Sequence, residues 1–165
     1  MNIHYWTSRV NRYIIPKRFA EVSARHFGFD RSNMEGAGAA GGLGYASLQY
    51  LDAECQSGVQ LLLEMVGFDE IVRGTDFVIT GEGAADGQTL MGKLPWGVLQ
   101  HAQGVPVVLI AGQVRNKEQL KLSGFSHVEC INPPDLPLQE AMQKEVARQN
   151  ISNTINRIVR SKYGL

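Results

Sequence analysis

Two carboxylates and one lysine lie close together in a single glycine-rich segment. The segment, residues 79–93, reads ITGEGAADGQTLMGK and contains Glu82, Asp86 and Lys93. Carboxylate oxygens can bind Mg²⁺, and a carboxylate can also take a proton from an alcohol. A lysine ammonium can neutralise the charge of a phosphoryl group. These residue types at this spacing predict a site that handles phosphate.

The remaining residues of the segment supply neutral hydrogen-bonding groups. Backbone N–H groups of glycines, here Gly81 and Gly83, can form an anion-binding nest. Thr80, Gln88 and Thr89 add hydroxyl and amide groups that can bind a ligand. The alternative interpretation is a solvated surface loop whose carboxylates have no chemical role.

Part of the same segment matches most of the P-loop motif. Residues 87–93, GQTLMGK, match the first seven positions of the G-x-x-x-x-G-K-[ST] motif. The eighth position requires a Ser or Thr hydroxyl for Mg²⁺, and Leu94 stands there. A P-loop is therefore not predicted.

A second glycine-rich stretch, GAGAAG at residues 36–41, matches the dinucleotide-binding pattern G-x-G-x-x-G. That fingerprint requires a strand immediately before it, and the preceding residues, FDRSNME, do not form a strand pattern. We instead expect a helix start that packs closely or lines a site with backbone N–H groups. The candidates for such contacts are Gly38, Gly41 and Gly42.

Three short apolar segments predict buried strands at residues 76–80, 105–112 and 127–131. Helical patterns precede, separate and follow them, which predicts an α/β fold with a parallel sheet and flanking helices. Ligands of such sheets bind beyond the carboxyl ends of the strands. The acidic, glycine-rich segment follows the first predicted strand, which favours a functional role.

The helix before the first strand has a capping-box spacing at Ser57 and Gln60. Gly74 is its predicted stop. Its predicted apolar face consists of Leu61, Leu62, Met65 and Val66.

Composition limits the class of partner. The 165 residues include 16 basic and 16 acidic side chains, so neither a nucleic acid nor a membrane surface is predicted as a partner. The start of the chain shows no secretory signal, and no run of 18 apolar residues occurs. Cys55 and Cys130 lack a C-x-x-C spacing and are predicted to be buried, reduced thiols. We therefore expect a cytoplasmic protein.

Four motifs together resemble the bacterial glycerate kinases of the two-domain type. They are GAGAAGGLG, SGVQLLLE, DFVITGEGAADGQTLMGKLPWGV and PVVLIAG, in the family's order and spacing. The resemblance runs from about Phe19 to the C-terminus. It implies transfer of phosphate from ATP to D-glycerate, with ATP and Mg²⁺ as cofactors. Asp86 and Lys93 would then be catalytic, and Glu82 and Asp86 would bind the metal.

The resemblance also implies a domain organisation. Residues 75–165 would be the C-terminal part of a flavodoxin-like domain, and residues 19–74 part of a second α/β domain that resembles restriction endonucleases. Residues 1–18 match neither domain and are interpreted as a possible truncation scar. One motif position differs, because Ala84 and Ala85 replace the Arg-Ile pair usual in the family.

Two family motifs do not occur in this chain. The opening APDSFKGS-like loop and the ADGGEGT segment are both absent from the sequence. We therefore expect an incomplete glycerate kinase that lacks one wall of its site. The alternative is an inactive α/β fragment that acts through homodimerisation or by complementing a missing N-terminal half.

Overall fold

The computed structural model describes the backbone of residues 14–163 and the side chains of residues 17–161. The unassigned segment predicted at residues 1–18 therefore lies largely outside the described part. The chain forms two compact units that divide between Gly58 and Val59. Residues 59–74 thus belong to the same unit as the sheet, and the division by domain family at residue 75 stays a prediction.

The first unit contains two helices, α1 (Ile14–Phe27) and α2 (Leu43–Tyr50), with a short 3-10 helix at Ala39–Gly42 between them. Its small core consists of Ala37, Tyr45 and Leu48. Within the described residues 14–58 no strand occurs. The dinucleotide fingerprint is therefore ruled out on structural grounds as well.

Glycines in this unit allow the close packing that was predicted. A Cβ atom at Gly44, in the first turn of α2, would lie 2.0 Å from the carbonyl oxygen of Gly36. Gly41 and Gly42 have positive φ angles of 71° and 108°, which side-chain-bearing residues rarely adopt. The glycine run therefore turns the backbone tightly into α2.

The second unit is built on a parallel sheet of three strands with helices packed against it. Its strands are β1 (Val78–Ala85), β2 (Val107–Val114) and β3 (His127–Cys130), in the order β1-β2-β3. All three pair in parallel, with Glu82 opposite Ala111 and Ala85 opposite Val114. The helices are α3 (Gly58–Met65), α4 (Phe68–Ile71), α5 (Leu94–His101), α6 (Lys117–Leu122), α7 (Leu138–Ala141) and α8 (Lys144–Tyr163). This confirms the predicted α/β fold with a parallel sheet and flanking helices.

The core of the second unit lies on one face of the sheet. Leu109 of β2 and Val128 of β3 are completely buried there, together with Leu120 of α6. Helix α5 contributes Val98 to the same cluster. Side chains of a strand alternate between its two faces, so register places Glu82 on the face of its neighbour Ala111, which belongs to this core.

The first strand differs from its predicted bounds. It was expected at residues 76–80, but it begins at Val78 and continues to Ala85. Glycine is usually unfavourable in a strand, yet here it is required: a Cβ atom at Gly81 would lie 2.7 Å from the carbonyl oxygen of Ile110. Thr80, Glu82 and the neighbouring glycines are therefore part of the sheet, and only residues from Asp86 onward follow it.

The predicted buried face of α3 is wrong. Leu61, Leu62, Met65 and Val66 are all exposed, at 45%, 58%, 73% and 58%. Val59 and Leu63 pack on the core instead, because Gly97 of α5 lets α3 approach closely: a Cβ atom there would lie 2.2 Å from Val59. The helix also ends earlier than predicted, before Gly67, which has a positive φ of 63°.

Both cysteines are free thiols in the structure. Cys55 is half-buried, but Cys130 is exposed, so the prediction of burial is wrong for Cys130. The reason is its position as the last residue of the edge strand β3. Among the helices described between residues 14 and 163, none combines the length and apolar character that a membrane crossing requires.

Candidate functional site

Glu82 is the central carboxylate of the candidate site. It lies near the carboxyl end of β1, and its side chain is only 15% exposed. Burial of a carboxylate is unfavourable unless partners compensate for the lost water. Glu82 has two such partners, one for each oxygen.

The first partner is the hydroxyl of Thr89, which is fully buried. This hydroxyl donates a hydrogen bond of 2.5 Å to Oε1 of Glu82. The distance lies at the short end of the range for a hydroxyl that donates to a carboxylate. The same Thr89 oxygen accepts a 3.0 Å hydrogen bond from the backbone N–H of Asp86. Thr89 therefore links the backbone just after β1, at Asp86, to the carboxylate of Glu82 within β1.

The second partner is Lys93, whose Nζ lies 3.3 Å from Oε2 of Glu82. The lysine side chain is 41% exposed, so the pair has one protected and one accessible member. Lys93 is also the N-cap residue of α5. The position of the Lys93 ammonium is therefore set by the start of α5 and by the carboxylate of Glu82 in β1.

Asp86 comes directly after β1 and caps the 3-10 helix Gly87–Leu90. Its Oδ1 accepts a 2.8 Å hydrogen bond from the backbone N–H of Gln88. An aspartate in this position satisfies N–H groups that the helix itself leaves free. One carboxylate oxygen of Asp86 thus supports the loop.

The structure brings together some of the predicted site residues and not others. Glu82, Thr89 and Lys93 are in direct contact, and Asp86 joins them through its backbone N–H. Three further candidates, Thr80, Gly81 and Gly83, are residues of β1. Gln88 lies on the 3-10 helix and is exposed. The remaining candidates, Gly38, Gly41 and Gly42, belong to the first unit.

Metal ligation was predicted for Glu82 and Asp86. Among the residues with described side chains, no three His, Cys, Asp or Glu side chains group as they would around a metal ion. Mg²⁺ bound with a nucleotide often uses only one or two protein carboxylates, because phosphates and water complete its octahedron. The metal assignment therefore stays a prediction.

Sequence reasoning did not find the bridging role of Thr89. The spacing Asp86-x-x-Thr89 is that of a capping box, in which cap and third helical residue bond to each other. The Thr89 hydroxyl was instead assigned to a ligand, and this spacing was not considered. The reach of Thr89 back to Glu82 depends on the strand continuing to Ala85, which the sequence pattern did not indicate.

The fold and the site define a class: a parallel α/β unit with a glutamate–lysine pair beside the loop after its first strand. A model of the glycerate kinase family matches residues 12–162. The glycerate kinase of Bacillus subtilis (strain 168) is 41% identical over 128 residues, which cover 76% of this chain and 34% of that protein. The glycerate kinase of Halalkalibacterium halodurans is 41% identical over 142 residues, covering 81% and 37%.

A solved structure agrees with these matches. The crystal structure described as glycerate kinase 2 from Salmonella typhimurium LT2 superposes with a TM-score of 0.55 and 28% identity, over 86% of this chain and 37% of that one. The chain belongs to the glycerate kinase family. It spans about a third of the length of these curated relatives.

Proposed function

We propose that this chain forms part of the site of a glycerate kinase, which transfers phosphate from ATP to a hydroxyl of D-glycerate. The observation that carries the proposal is the contact of Lys93 with Glu82, 3.3 Å apart, beside the loop that follows β1. Carboxyl ends of parallel strands are where ligands of α/β sheets bind. Family membership supplies the reaction class.

In this proposal Lys93 contacts a phosphoryl oxygen of the nucleotide. Phosphoryl transfer depends mainly on positioning and on neutralising charge. Glu82 holds the ammonium in place, and Thr89 fixes Glu82 through its 2.5 Å hydrogen bond. The exposed fraction of Lys93, 41%, leaves the ammonium accessible to a ligand.

Asp86 is proposed as the second acidic participant. Its Oδ1 is bonded to the backbone N–H of Gln88, and its other oxygen is proposed to bind Mg²⁺ or to accept the proton of the glycerate hydroxyl. The magnesium ion, when bound with ATP, neutralises charge on the transferred phosphoryl group. Glu82 fits the metal role less well, because its oxygens contact Thr89 and an ammonium.

A turnover assay with a matched pair of variants tests this role. Asp86→Asn keeps a side chain that can cap the 3-10 helix but removes the carboxylate charge. Asp30→Asn is the control, since Asp30 Oδ1 accepts a similar 2.8 Å bond from the N–H of Ser32 in the first unit. With MgATP and D-glycerate, we expect ADP release to fall at least about a hundredfold for Asp86→Asn, the range of acid–base contributions. Equal turnover by both variants would remove Asp86 from the chemistry.

A second candidate function is association without catalysis. The exposed apolar residues of α3, which include Leu62 at 58% and Met65 at 73%, favour it. A contiguous apolar surface of this kind is typical of a contact with another chain. Three results together would support this function over the first. The native chain would release no ADP, its melting temperature would not rise with MgATP, and light scattering would show a dimer.

A further inference from the structure

A pocket built from other residues than the glutamate–lysine pair lies at the carboxyl ends of β2 and β3. It is an open cavity of about 600 Å³, and neither its residues nor their spacing formed a recognisable motif in the sequence. Val114 at the end of β2 and Ile131 just after β3 contribute apolar walls, and Pro133 adds a third. Helix α8 closes another side with Asn150 and Arg157.

Two cations converge on one carboxylate in this pocket. Lys117 Nζ, from the start of α6, lies 3.3 Å from Oε1 of Glu129. Nη2 of Arg157, from α8, lies 3.6 Å from Oε2 of Glu129. Glu129 is 25% exposed, and the three side chains together carry one net positive charge. A planar guanidinium beside an ammonium is a common arrangement for binding phosphate oxygens.

A chain of amides fixes the polar wall of the pocket. Asn132 donates from Nδ2 to the carbonyl oxygen of Gly112, at 2.9 Å. A carbonyl can only accept, so this bond sets the orientation of the Asn132 amide. Its Oδ1 then accepts from Nδ2 of Asn150, at 3.0 Å. The two amides are thereby held in fixed orientations in the wall of the pocket.

The pocket lies at the same end of the sheet as the glutamate–lysine pair, where the carboxyl ends of the strands meet. Val114, which lines it, pairs with Ala85, and Ala85 immediately precedes Asp86. The backbone N–H of Arg115 also donates to the carbonyl of Ala85, at 2.8 Å. The pocket is therefore a neighbour of the loop after β1, but it is built from different side chains.

We propose that this pocket binds the phosphate group of a small phosphorylated molecule. Arg157 and Lys117 hold the phosphate oxygens, and the walls at Val114 and Ile131 contact the rest of the molecule. Glu129 keeps the two cations in place and competes with the incoming anion. The proposal does not depend on kinase activity, because none of these side chains belongs to the glutamate–lysine site.

The test is an NMR titration of the full chain with inorganic phosphate at constant ionic strength, with chloride as the balancing anion. We expect saturable shifts of the backbone amides of Lys117 and residues 129–132. Arg157→Gln should weaken binding about tenfold, the loss expected for one hydrogen bond to a charged group. Arg148→Gln is the control, because Arg148 lies on the same helix and pairs with Glu145 at an exposed position outside the pocket lining. Equal weakening by the two variants, or shifts spread over all lysines and arginines, would overturn the proposal.

Glu129→Gln separates binding from a purely structural role. If Glu129 competes with phosphate, its neutral replacement should tighten phosphate binding several-fold, because it removes one negative charge beside the two cations. If the three side chains only tie α6 and α8 to β3, the variant should melt at a lower temperature and show no gain in affinity. That second result would contradict the proposed site. ADP, titrated without magnesium, then tests whether a nucleotide body adds affinity to that of phosphate.

Discussion

The hydroxyl of Thr89 lies 2.5 Å from a carboxylate oxygen of Glu82, seven residues earlier in the chain. The same hydroxyl oxygen accepts the backbone N–H of Asp86. One fully buried side chain thus satisfies both the strand carboxylate and the first N–H of the following turn. We infer that the geometry of the loop depends on this single group.

Thr89→Val tests that dependence, because it keeps the shape of the side chain and removes its hydroxyl. The carboxylate of Glu82 and the N–H of Asp86 would each lose a partner. A buried polar group left without a hydrogen bond costs about 1–3 kcal/mol. Two such groups lead us to expect the free energy of unfolding in urea to fall by about 2–6 kcal/mol. Thr89→Ser keeps the hydroxyl and should lose only about 1 kcal/mol; equal losses for both would contradict the bridging role.

Gly97→Ala tests the contact that selects the buried face of α3. Alanine in a helix is normally about 1 kcal/mol better than glycine. Here the new Cβ would lie 2.2 Å from Cγ1 of Val59, so we expect a net loss of about 1–3 kcal/mol instead.

The double variant Val59→Ala/Gly97→Ala provides the control for that prediction. Removing the valine methyl groups makes room for the new Cβ, so the two changes should couple favourably in a double-mutant cycle. Additive losses in urea unfolding would show that α3 does not pack on α5 at this point.

The hydrogen bond between Asp69 of α4 and His101 of α5 leads us to predict that stability depends on acid pH. Their atoms Oδ1 and Nδ1 lie 2.8 Å apart, and the hydrogen bond from His101 lowers the pKa of Asp69. A carboxyl group whose pKa is lower in the folded than in the unfolded protein stabilises the fold. This contribution is fully present when the pH is above the pKa of an unfolded aspartate, about 3.9. The contribution is lost as the pH falls through the lower pKa of the folded protein.

Asp69→Asn measures this contribution. We expect the native chain to be more stable than the variant at about pH 5 and the difference to shrink as the pH falls to about 2. The change should be small, because the Asp69 side chain is 48% exposed. Asp135→Asn, at an exposed position after β3, is the control. A difference that stays constant with pH would rule out the pair as its source.

The sequence was sufficient for the class of fold and for the location of the acidic loop. Alternating apolar segments and helical periods predicted three parallel strands, and β2 and β3 occur within two residues of their predicted bounds. The end of β1 was missed because Gly81 and Gly83 interrupt the apolar pattern. Gly81 is required in the strand by the backbone of β2, because a Cβ atom there would lie 2.7 Å from the carbonyl oxygen of Ile110.

The site was predicted less completely than the fold. Proximity in sequence was enough to place Glu82 and Lys93 in one segment, and the structure joins them. The buried face of α3 was predicted wrongly because three apolar i, i+4 pairs overlap there: Val59 with Leu63, Leu61 with Met65, and Leu62 with Val66. Only the contact with Gly97 on another helix selects Val59 and Leu63. Neither local propensity nor periodicity carries that information.

The central claim is that Lys93, held by Glu82, binds the phosphate of a nucleotide. The most direct test is the melting temperature of the chain with and without MgATP. A ligand at a hundred times its dissociation constant stabilises the folded state by about 2.7 kcal/mol. We predict a clear rise for the native chain and for Lys121→Met, whose lysine is exposed on α6, and little or no rise for Lys93→Met. An unchanged melting temperature of the native chain in millimolar MgATP, or an equal rise for both variants, would contradict the claim.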